Sequence, residues 1–405
     1  MRARKLLFSV CTLMGIMAVV AGVSASPAAA DGPGSGTAYV VSLGDSYISG
    51  EAGRWAGNTN QSSSEIDALG STAYDDNATN TAETIPGCHR SKAAEIGIGG
   101  GVGSANLACS GARTSTFTDS SGNFKPGIDF SNDGAGHLGQ ALMLQNLAAT
   151  HNVKMIQLSI GGNNFNFASI VQSCVTDFLL SPSWWPNYCY DDSSVSSNFT
   201  SANVAAQTNA VKTAILNVRT AMSNAGYTDG MYAIDVQTYP SPVPGGAGFR
   251  YSQSGYTRQS TGGCGFWSKD ADWANNTALA TINTTVKNAA AATGLTNVKV
   301  LDVSAAFNGR RLCENTVGLL EEKGLNSWTN PGASDRTEWV NQIRTVSTVF
   351  GPYQVQESSH PNYWGELALR NCVRQAYNGG ASHGGSCTPA GTGLDSAGEP
   401  NMALH

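Results

Sequence analysis

The sequence predicts an α/β domain built around a mostly parallel sheet of five strands. Short runs of β-branched residues alternate with stretches of helical periodicity, which is the pattern of parallel strands joined by helical crossovers. Two of the helical stretches are long, and they lie between the later strands. Since no internal repeat and no clear linker divides the chain, one domain is expected over residues 31–405.

The apolar runs and stripes locate the individual elements. Strands are predicted at 39–43, around 106–109, and at 153–160, 231–236 and 298–303. Apolar side chains recur at helical spacing in two stretches, at 204, 211, 215, 218 and 222, and at 279, 282, 286 and 290. A last helix should start just after Pro361, with this proline near its first turn, and run through Val373. The Gly-rich tail after Asn378 is expected to be ordered only through its cysteine.

The first thirty residues have the pattern of an export signal. Arg2, Arg4 and Lys5 precede an apolar run over 6–23, and small residues end in Ala28–Ala30 before Asp31. A signal anchor is the rival interpretation, but the small residues favour removal of 1–30 and a secreted protein. No other run is long enough to span a membrane.

Composition and charge narrow the function classes. The chain has 405 residues, of which 41% are hydrophobic and 13% charged, so it can bury a sizeable core and is not a disordered protein. Removing the signal leaves 20 of the 23 basic residues against 29 acidic ones, a net charge of -9. This balance argues against a nucleic-acid partner.

Eight cysteines remain after the signal, and an even number in an exported chain predicts four disulfides. Many connectivities are possible, but pairing of neighbours in sequence would close short loops. It gives the pairs Cys88–Cys109, Cys174–Cys189, Cys264–Cys313 and Cys372–Cys387. Zinc is the weaker alternative, since no pair has the short spacing of a metal knuckle.

Candidate catalytic groups follow three of the predicted strands. Ser46 lies in a Gly-flanked turn after the first strand, at the strand end where open α/β sheets bind ligands. Gly111 follows the second strand and can offer its backbone N–H, whereas Asn163 and Asn164 follow the third and carry amide donors. A nucleophilic serine also needs a base. Among the six histidines, only His360 lies in a short polar loop just before a helix.

The chain resembles the GDSL, or SGNH, hydrolases, and within them the secreted actinobacterial lipases and esterases. The resemblance covers nearly the whole mature chain. No single segment is specific for the family, but the ordered set of segments is. The segments are GDSYISGEAG at 44–53, CHRS at 88–91, ACSGARTS at 108–115, IGGNN at 160–164, the Tyr-Pro pair at 239–240, FNGRRLC at 307–313 and HPN at 360–362.

The resemblance implies the fold and the roles of the site residues. Ser46 would be the nucleophile and His360 the base, and the oxyanion hole would consist of the N–H groups of Ser46 and Gly111 with the side chain of Asn163. The fold would be flavodoxin-like, with three α/β/α layers and long disulfide-stapled loops. The protein would be a monomer without cofactor or metal. The first three disulfides named above are also implied, and Cys372–Cys387 would be an addition found in longer members.

Three departures from the family pattern bear on mechanism. The common Asp three residues before the histidine is Glu357, so either this carboxylate or a backbone carbonyl of the same loop would orient His360. Asn164 stands where an Asp is usual, which should keep a polar environment but removes a charge. The long insertion between Gly53 and Cys88, residues 54–87, is expected to form part of the rim over Ser46.

The leading prediction is a secreted lipase or esterase that cleaves fatty-acyl esters through an acyl-enzyme, with an acetyl-specific carbohydrate esterase as the alternative. A noncatalytic carbohydrate-binding protein is a further alternative, which the pair Trp184 and Trp185 would suit, although that pair could also line an acyl site. A metallophosphoesterase would need strand-end histidines that are missing. The Gly-x-Ser-x-Gly pattern at 380–384 lacks the strand and helix that a nucleophile elbow needs.

Overall fold

A computed structural model describes residues 31–344 and 355–405, so the segment 1–30 with its expected export signal lies outside the described residues. Seven strands form the main sheet, in the order β2-β1-β5-β6-β7-β8-β9, and two short ones pair beside it. The strands are β1 Ala38–Gly44, β2 Gly103–Asn106, β3 Phe117–Thr118, β4 Phe124–Lys125, β5 Asn152–Ser159, β6 Ala233–Gln237, β7 Val298–Asp302, β8 Gly385–Leu394 and β9 Pro400–Leu404.

Helices cover both faces of the sheet and make three layers. On one face α2, α5 and α8 pack on the apolar side chains of β1, β5 and β6, and on the other face α10 and α3 belong to a second apolar cluster. The α-helices are α1 Ser46–Ser49, α2 Gln140–Ala148, α3 Phe167–Leu180, α4 Ser193–Ser196, α5 Ser201–Asn224, α6 Thr257–Ser260, α7 Ser268–Trp273, α8 Ala280–Ala292, α9 Ala333–Arg336 and α10 Tyr363–Tyr377. A π-helical segment, Ala274–Leu279, joins α7 to α8.

The predicted fold class is confirmed, because β2, β1, β5, β6 and β7 are parallel neighbours and helices lie on both sides of them. The two long helical stretches form α5 and α8, whose apolar stripes are buried. The last helix begins at Tyr363, where the Asn362 side chain accepts the N–H groups of Trp364 and Gly365. Pro361 therefore precedes this cap and does not enter the first turn.

The second strand lies earlier in the chain than predicted, since β2 ends at Asn106, where the strand was expected to begin. Beyond that residue the chain still runs beside β1, with the N–H of Leu107 donating to Ser42 at 2.9 Å and that of Cys109 to Gly44 at 3.1 Å. The N–H of Ala108, between these two, donates to the Asn106 side chain and not to another strand. The path past 109 thus remains aligned with the end of β1.

The expectation of five strands and a tail ordered only by its cysteine is wrong. β8 runs parallel to β7, with Leu301 opposite Gly385, and β9 pairs antiparallel with β8. The tail is also fixed to α10 through the ion pair between Arg374 and Glu399 at 2.5 Å. Pairing partners distant in sequence supply this order, which the many glycines of the segment conceal.

Four disulfides join the cysteines in the pairs expected from the sequence: Cys88–Cys109, Cys174–Cys189, Cys264–Cys313 and Cys372–Cys387. Cys88–Cys109 and Cys264–Cys313 join loop segments, Cys174–Cys189 joins α3 to the loop after it, and Cys372–Cys387 joins α10 to β8. Within 31–344 and 355–405, no helix has the length and apolar character needed to cross a membrane.

A matched pair of disulfide variants measures how firmly the tail strands are held. Cys372→Ser/Cys387→Ser and Cys174→Ser/Cys189→Ser each open a bond of sequence separation 15, so loop entropy alone would cost each about 3 kcal/mol. We expect the first variant to lose more, because Cys372–Cys387 also holds β8 against α10. Guanidinium unfolding would measure both losses, and equal losses would contradict this expectation.

Candidate active site

Ser46 stands at the junction of β1 and α1. The N–H of Asp45 donates to the carbonyl of Ser159 at 3.0 Å, which continues the pairing of β1 with β5 by one residue. The Asp45 carboxylate then accepts the N–H of Tyr47 at 3.1 Å and caps α1. The helix therefore starts at the strand end and holds Ser46 in its first turn, with 6% of its surface exposed.

His360 contacts the serine directly. Its Nε2 lies 2.7 Å from Ser46 Oγ, and its Nδ1 lies 2.9 Å from the carbonyl oxygen of Ser358. Because a carbonyl can only accept, Nδ1 carries the proton in this arrangement and Nε2 is free to accept the serine hydroxyl proton. The loop is fixed by two backbone bonds with Asn341, one from the N–H of Ser359 and one to the carbonyl of His360.

The charge state of His360 suits a general base. Burial lowers the pKa of the imidazole below its usual value, while the negative charge of Glu51 and the Ser358 carbonyl act in the opposite direction. The imidazole is consequently neutral at neutral pH, as a proton acceptor must be.

Glu357 is directed away from this contact. Its carboxylate accepts the indole N–H of Trp55 at 3.0 Å and the hydroxyl of Tyr74 at 2.5 Å, and the residue is 1% exposed. The extra methylene relative to Asp lets the side chain reach the 54–87 insertion behind the loop. Of the two alternatives left open by the sequence, the geometry therefore favours the backbone carbonyl of Ser358 as the group that orients His360.

The 54–87 insertion does not line the cavity over Ser46, so the expectation that it forms the rim is wrong. Instead Trp55 and Ile66 pack into a small cluster with Leu320, Leu325 and Ala333. The insertion supports the His360 loop from behind, through its two bonds to the Glu357 carboxylate.

The three expected oxyanion donors line the same cavity as Ser46 and His360. Gly111 adopts a φ of 79°, a left-handed conformation that favours glycine. Among the described residues, no acceptor takes the N–H of Ser46 or of Gly111. Asn163 uses one amide hydrogen on the carbonyl of Ala112 at 2.9 Å, which orients its Nδ2 and leaves the second hydrogen available.

Two polar side chains connect the strand ends that carry these donors. Asn164 accepts the N–H of Thr114 at 3.1 Å and so ties the end of β5 to the Gly111 loop. The Tyr239 hydroxyl, after β6, donates to the Asp45 carboxylate at 2.5 Å and accepts the N–H of Gly162 at 3.0 Å. Burial raises the pKa of Asp45 to about 7, and the bond from Tyr239 acts against this rise.

A cavity of about 830 Å³ opens beside Ser46. One wall is the inner face of α3, and other walls come from the chain after β6, the π-helical segment and α8. Apolar side chains line much of it, among them Phe167, Val171, Val175, Leu179, Leu279 and Ile282. A site of this size and polarity suits a ligand with an extended apolar part.

Other candidate residues lie elsewhere. Trp184 and Trp185 are exposed and do not line the cavity. His383, in the Gly-x-Ser-x-Gly segment, contacts the carbonyl of Gly384 just before β8, at the far side of the sheet from β1. Within the described ranges, no three His, Cys, Asp or Glu side chains are grouped so that they could hold a metal ion.

The sequence did not identify Glu51 as part of the site. This carboxylate is fully buried one turn after Ser46, and it bonds to His89 Nδ1 at 2.7 Å and to Gln356 Nε2 at 3.0 Å. Burial would raise its pKa, but His89 and other partners bring it below the usual value, so it is ionised. The sequence signal that could have indicated this role is the position of Glu51 in the segment GEAG, five residues after Ser46.

Solved structures resemble the chain, although no family model and no curated protein matches it. An extracellular lipase from Streptomyces rimosus is 18% identical and covers 84% of this chain and 100% of its own, with a TM-score of 0.39. A phospholipase A1 from Streptomyces albidoflavus NA297 is 19% identical and covers 84% and 99%, with a TM-score of 0.41.

A third structure is a carbohydrate esterase family 2 enzyme with a carbohydrate-binding domain from Corynascus thermopiles (Myceliophthora fergusii). It is 12% identical and covers 86% of this chain and 68% of its own, with a TM-score of 0.38. Similarity at this level carries no chemical conclusion, and what the site can do follows from its own geometry.

Removal of the Tyr239 hydroxyl should disturb the site without unfolding the protein. In Tyr239→Phe the Asp45 carboxylate and the Gly162 N–H each lose a buried partner, which should cost about 1–3 kcal/mol of stability. We expect kcat on a p-nitrophenyl ester to fall about tenfold, because the bridge that the Tyr239 hydroxyl makes between Asp45 and Gly162 beside Ser46 is lost. Unchanged kcat at reduced Tm would show that the hydroxyl serves stability alone.

Replacement of Glu51 should move the pH profile. Glu51→Gln keeps the shape of the side chain but removes the negative charge that favours the His360 imidazolium. The pKa of His360 should fall further, so the acid limb of kcat/KM should lie at lower pH than in the parent protein. Glu357→Gln is the matched control, because Glu357 is a buried carboxylate in the loop that carries His360. This variant should leave the acid limb of kcat/KM in place. An equal displacement in both variants would contradict the specific role of Glu51.

Proposed function

We propose that the protein is a serine ester hydrolase that cleaves fatty-acyl carboxylic esters through an acyl-enzyme. The observation that carries this proposal is the 2.7 Å contact between Ser46 Oγ and His360 Nε2 at the wall of a large apolar cavity. A serine, a neutral imidazole with its proton on Nδ1, and three donors at one strand-end edge are the groups that acyl transfer needs.

In the proposed reaction, Ser46 Oγ attacks the ester carbonyl carbon while His360 Nε2 takes the hydroxyl proton. The carbonyl π electrons move to its oxygen, and the N–H groups of Ser46 and Gly111 with the Asn163 amide stabilise the oxyanion. Collapse of this intermediate breaks the ester bond, and His360 gives its proton to the departing alcohol. Water, deprotonated by the same imidazole, then releases the acid from Ser46.

The carbonyl of Ser358 replaces the third triad member in this proposal. It fixes the Nδ1–H tautomer and the ring orientation, which are two of the tasks of a triad carboxylate. It carries only a dipole, and the buried negative charge of Glu51 would support the imidazolium that forms during attack.

The cavity supports an acyl chain longer than acetyl. The α3 wall contributes Val171, Val175 and Leu179, and the opposite side contributes Leu279 and Ile282. An acetyl group would leave most of this apolar wall in contact with water, whereas a longer chain gains about 0.8 kcal/mol for each methylene that it buries. This reasoning ranks a fatty-acyl ester above the acetyl-specific alternative.

The central test is hydrolysis of p-nitrophenyl esters from C2 to C16 by residues 31–405 without added metal, with Ser46→Ala in parallel. We expect an optimum above C2 and complete loss of activity in the variant, because the nucleophile is gone. Asn163→Ala should retain binding but lose on the order of a hundredfold in kcat. A strong preference for C2 would favour the acetyl esterase, and equal activity of Ser46→Ala would refute the serine mechanism and favour a noncatalytic or metal-dependent protein.

A pair of variants distinguishes the two ways of orienting the histidine. If the Ser358 carbonyl does this, Glu357→Gln should retain kcat within about tenfold, since the Gln Oε1 can accept from the Trp55 indole while its Nε2 donates to the Tyr74 hydroxyl oxygen. His360→Ala should lose at least a thousandfold, because the base is absent. Comparable losses in both variants would restore Glu357 as a member of a triad.

A further inference from the structure

Three large apolar side chains are solvated together at the carboxyl end of α3. Leu180, the last residue of the helix, is 80% exposed, and Trp184 and Trp185 in the following turn are 81% and 75% exposed. Single exposed apolar residues are ordinary on protein surfaces, but a cluster of this kind usually marks an interaction surface. We call these three residues the α3 tip.

The turn that presents the two indoles is braced. The disulfide between Cys174 and Cys189 closes its base, the N–H of Trp185 donates to Pro182 at 2.9 Å, and the N–H of Asn187 donates to Ser181 Oγ at 2.9 Å. A braced turn loses little conformational entropy when its side chains become ordered against a partner. The side chains are therefore presented to solvent by a fixed backbone.

The α3 tip is continuous with the cavity beside Ser46. Leu180 belongs to both, because it lines the cavity while most of its surface is in solvent, and Val171, Val175 and Leu179 continue the same apolar wall inward. A molecule that leaves an apolar surface at the α3 tip can thus follow this apolar wall into the cavity.

Charge and polarity restrict the kind of partner. No residue from 178 to 188 is charged, and the whole chain has a net charge of -6, so an anionic surface would gain no attraction here. A sugar ring would need hydrogen-bonding groups beside the indoles. The Ser181 hydroxyl is already used by Asn187 and by the indole N–H of Trp267, whereas Ser183 beside Trp184 is exposed. What favours a lipid over a sugar is the apolar wall that runs from Leu180 into the cavity.

We propose that the α3 tip docks the protein on the surface of a neutral or zwitterionic lipid aggregate, with the cavity mouth facing the lipid. The biological purpose of this docking rests on the proposed function, since a lipid ester would then pass directly from the aggregate to Ser46. Indole rings are suited to this place, because they combine a large apolar face with an N–H that remains at the wet boundary. Leu180 supplies a fully apolar contact beside them.

Vesicle binding tests the proposal separately from catalysis. Ser46→Ala protein, which should leave the lipid intact, is mixed with phosphatidylcholine vesicles and separated by flotation. We expect Trp184→Ser/Trp185→Ser in the same background to weaken partitioning at least about tenfold. Leu394→Ser, which changes an apolar side chain that is 44% exposed on β8, is the matched control and should bind like the parent. Unchanged Tm would establish that each variant is folded.

Salt and lipid composition give the second arm. Because no charge is involved, binding to phosphatidylcholine should persist in 1 M NaCl and should not increase when phosphatidylglycerol is added. Equal partitioning of the double Trp variant and the parent would overturn the proposal. So would Trp-dependent binding to an insoluble polysaccharide but not to vesicles, or a dimer that the same substitutions dissociate. Failure of ester hydrolysis with intact vesicle binding would refute the proposed function and leave the docking surface standing.

Discussion

The parallel register of β1 on β5 is the constraint on which the site depends. Gly44 lies opposite Ser159, and the N–H of Asp45 extends this pairing by one residue before α1 begins. A side chain at Gly44 would place its Cβ 1.9 Å from the Ser159 carbonyl oxygen, so only glycine allows this approach. Since the chain after β2 also bonds to Gly44, three segments end at one level and deliver their functional groups to one point.

Much of this arrangement is predictable from local sequence. The strands and helices of the central layers are apolar runs with clear periodicity, and the functional groups follow strand ends in segments whose order resembles a known family. The sequence does not predict the tail strands β8 and β9, because their Gly, Thr and Pro residues give no alternating apolar pattern. These strands are ordered by pairing with β7 and by contacts with α10. Local patterns report burial of a segment, but they do not report which distant segment buries it.

The role of Glu357 illustrates the same limit within the site. Its position three residues before His360 suggests a triad, yet its partners Trp55 and Tyr74 are 302 and 283 positions away in the chain. The 54–87 insertion, expected at the rim, supplies those partners from behind the loop. In the proposed mechanism the tasks are divided, since Glu357 anchors the loop, Ser358 orients the imidazole and Glu51 holds the buried charge.

The disulfides make the oxidation state of the surroundings a condition for assembling the site. Cys109 is two residues before Gly111, and its partner Cys88 adjoins His89, which pairs with Glu51. In a reducing compartment the parallel strands could still form from their apolar side chains, but the donor loop would lose its covalent anchor. Chains made in such a compartment would then combine native-like helical content with a poorly organised set of proposed oxyanion donors. A circular dichroism spectrum of normal helical content would therefore overstate the fraction of active molecules.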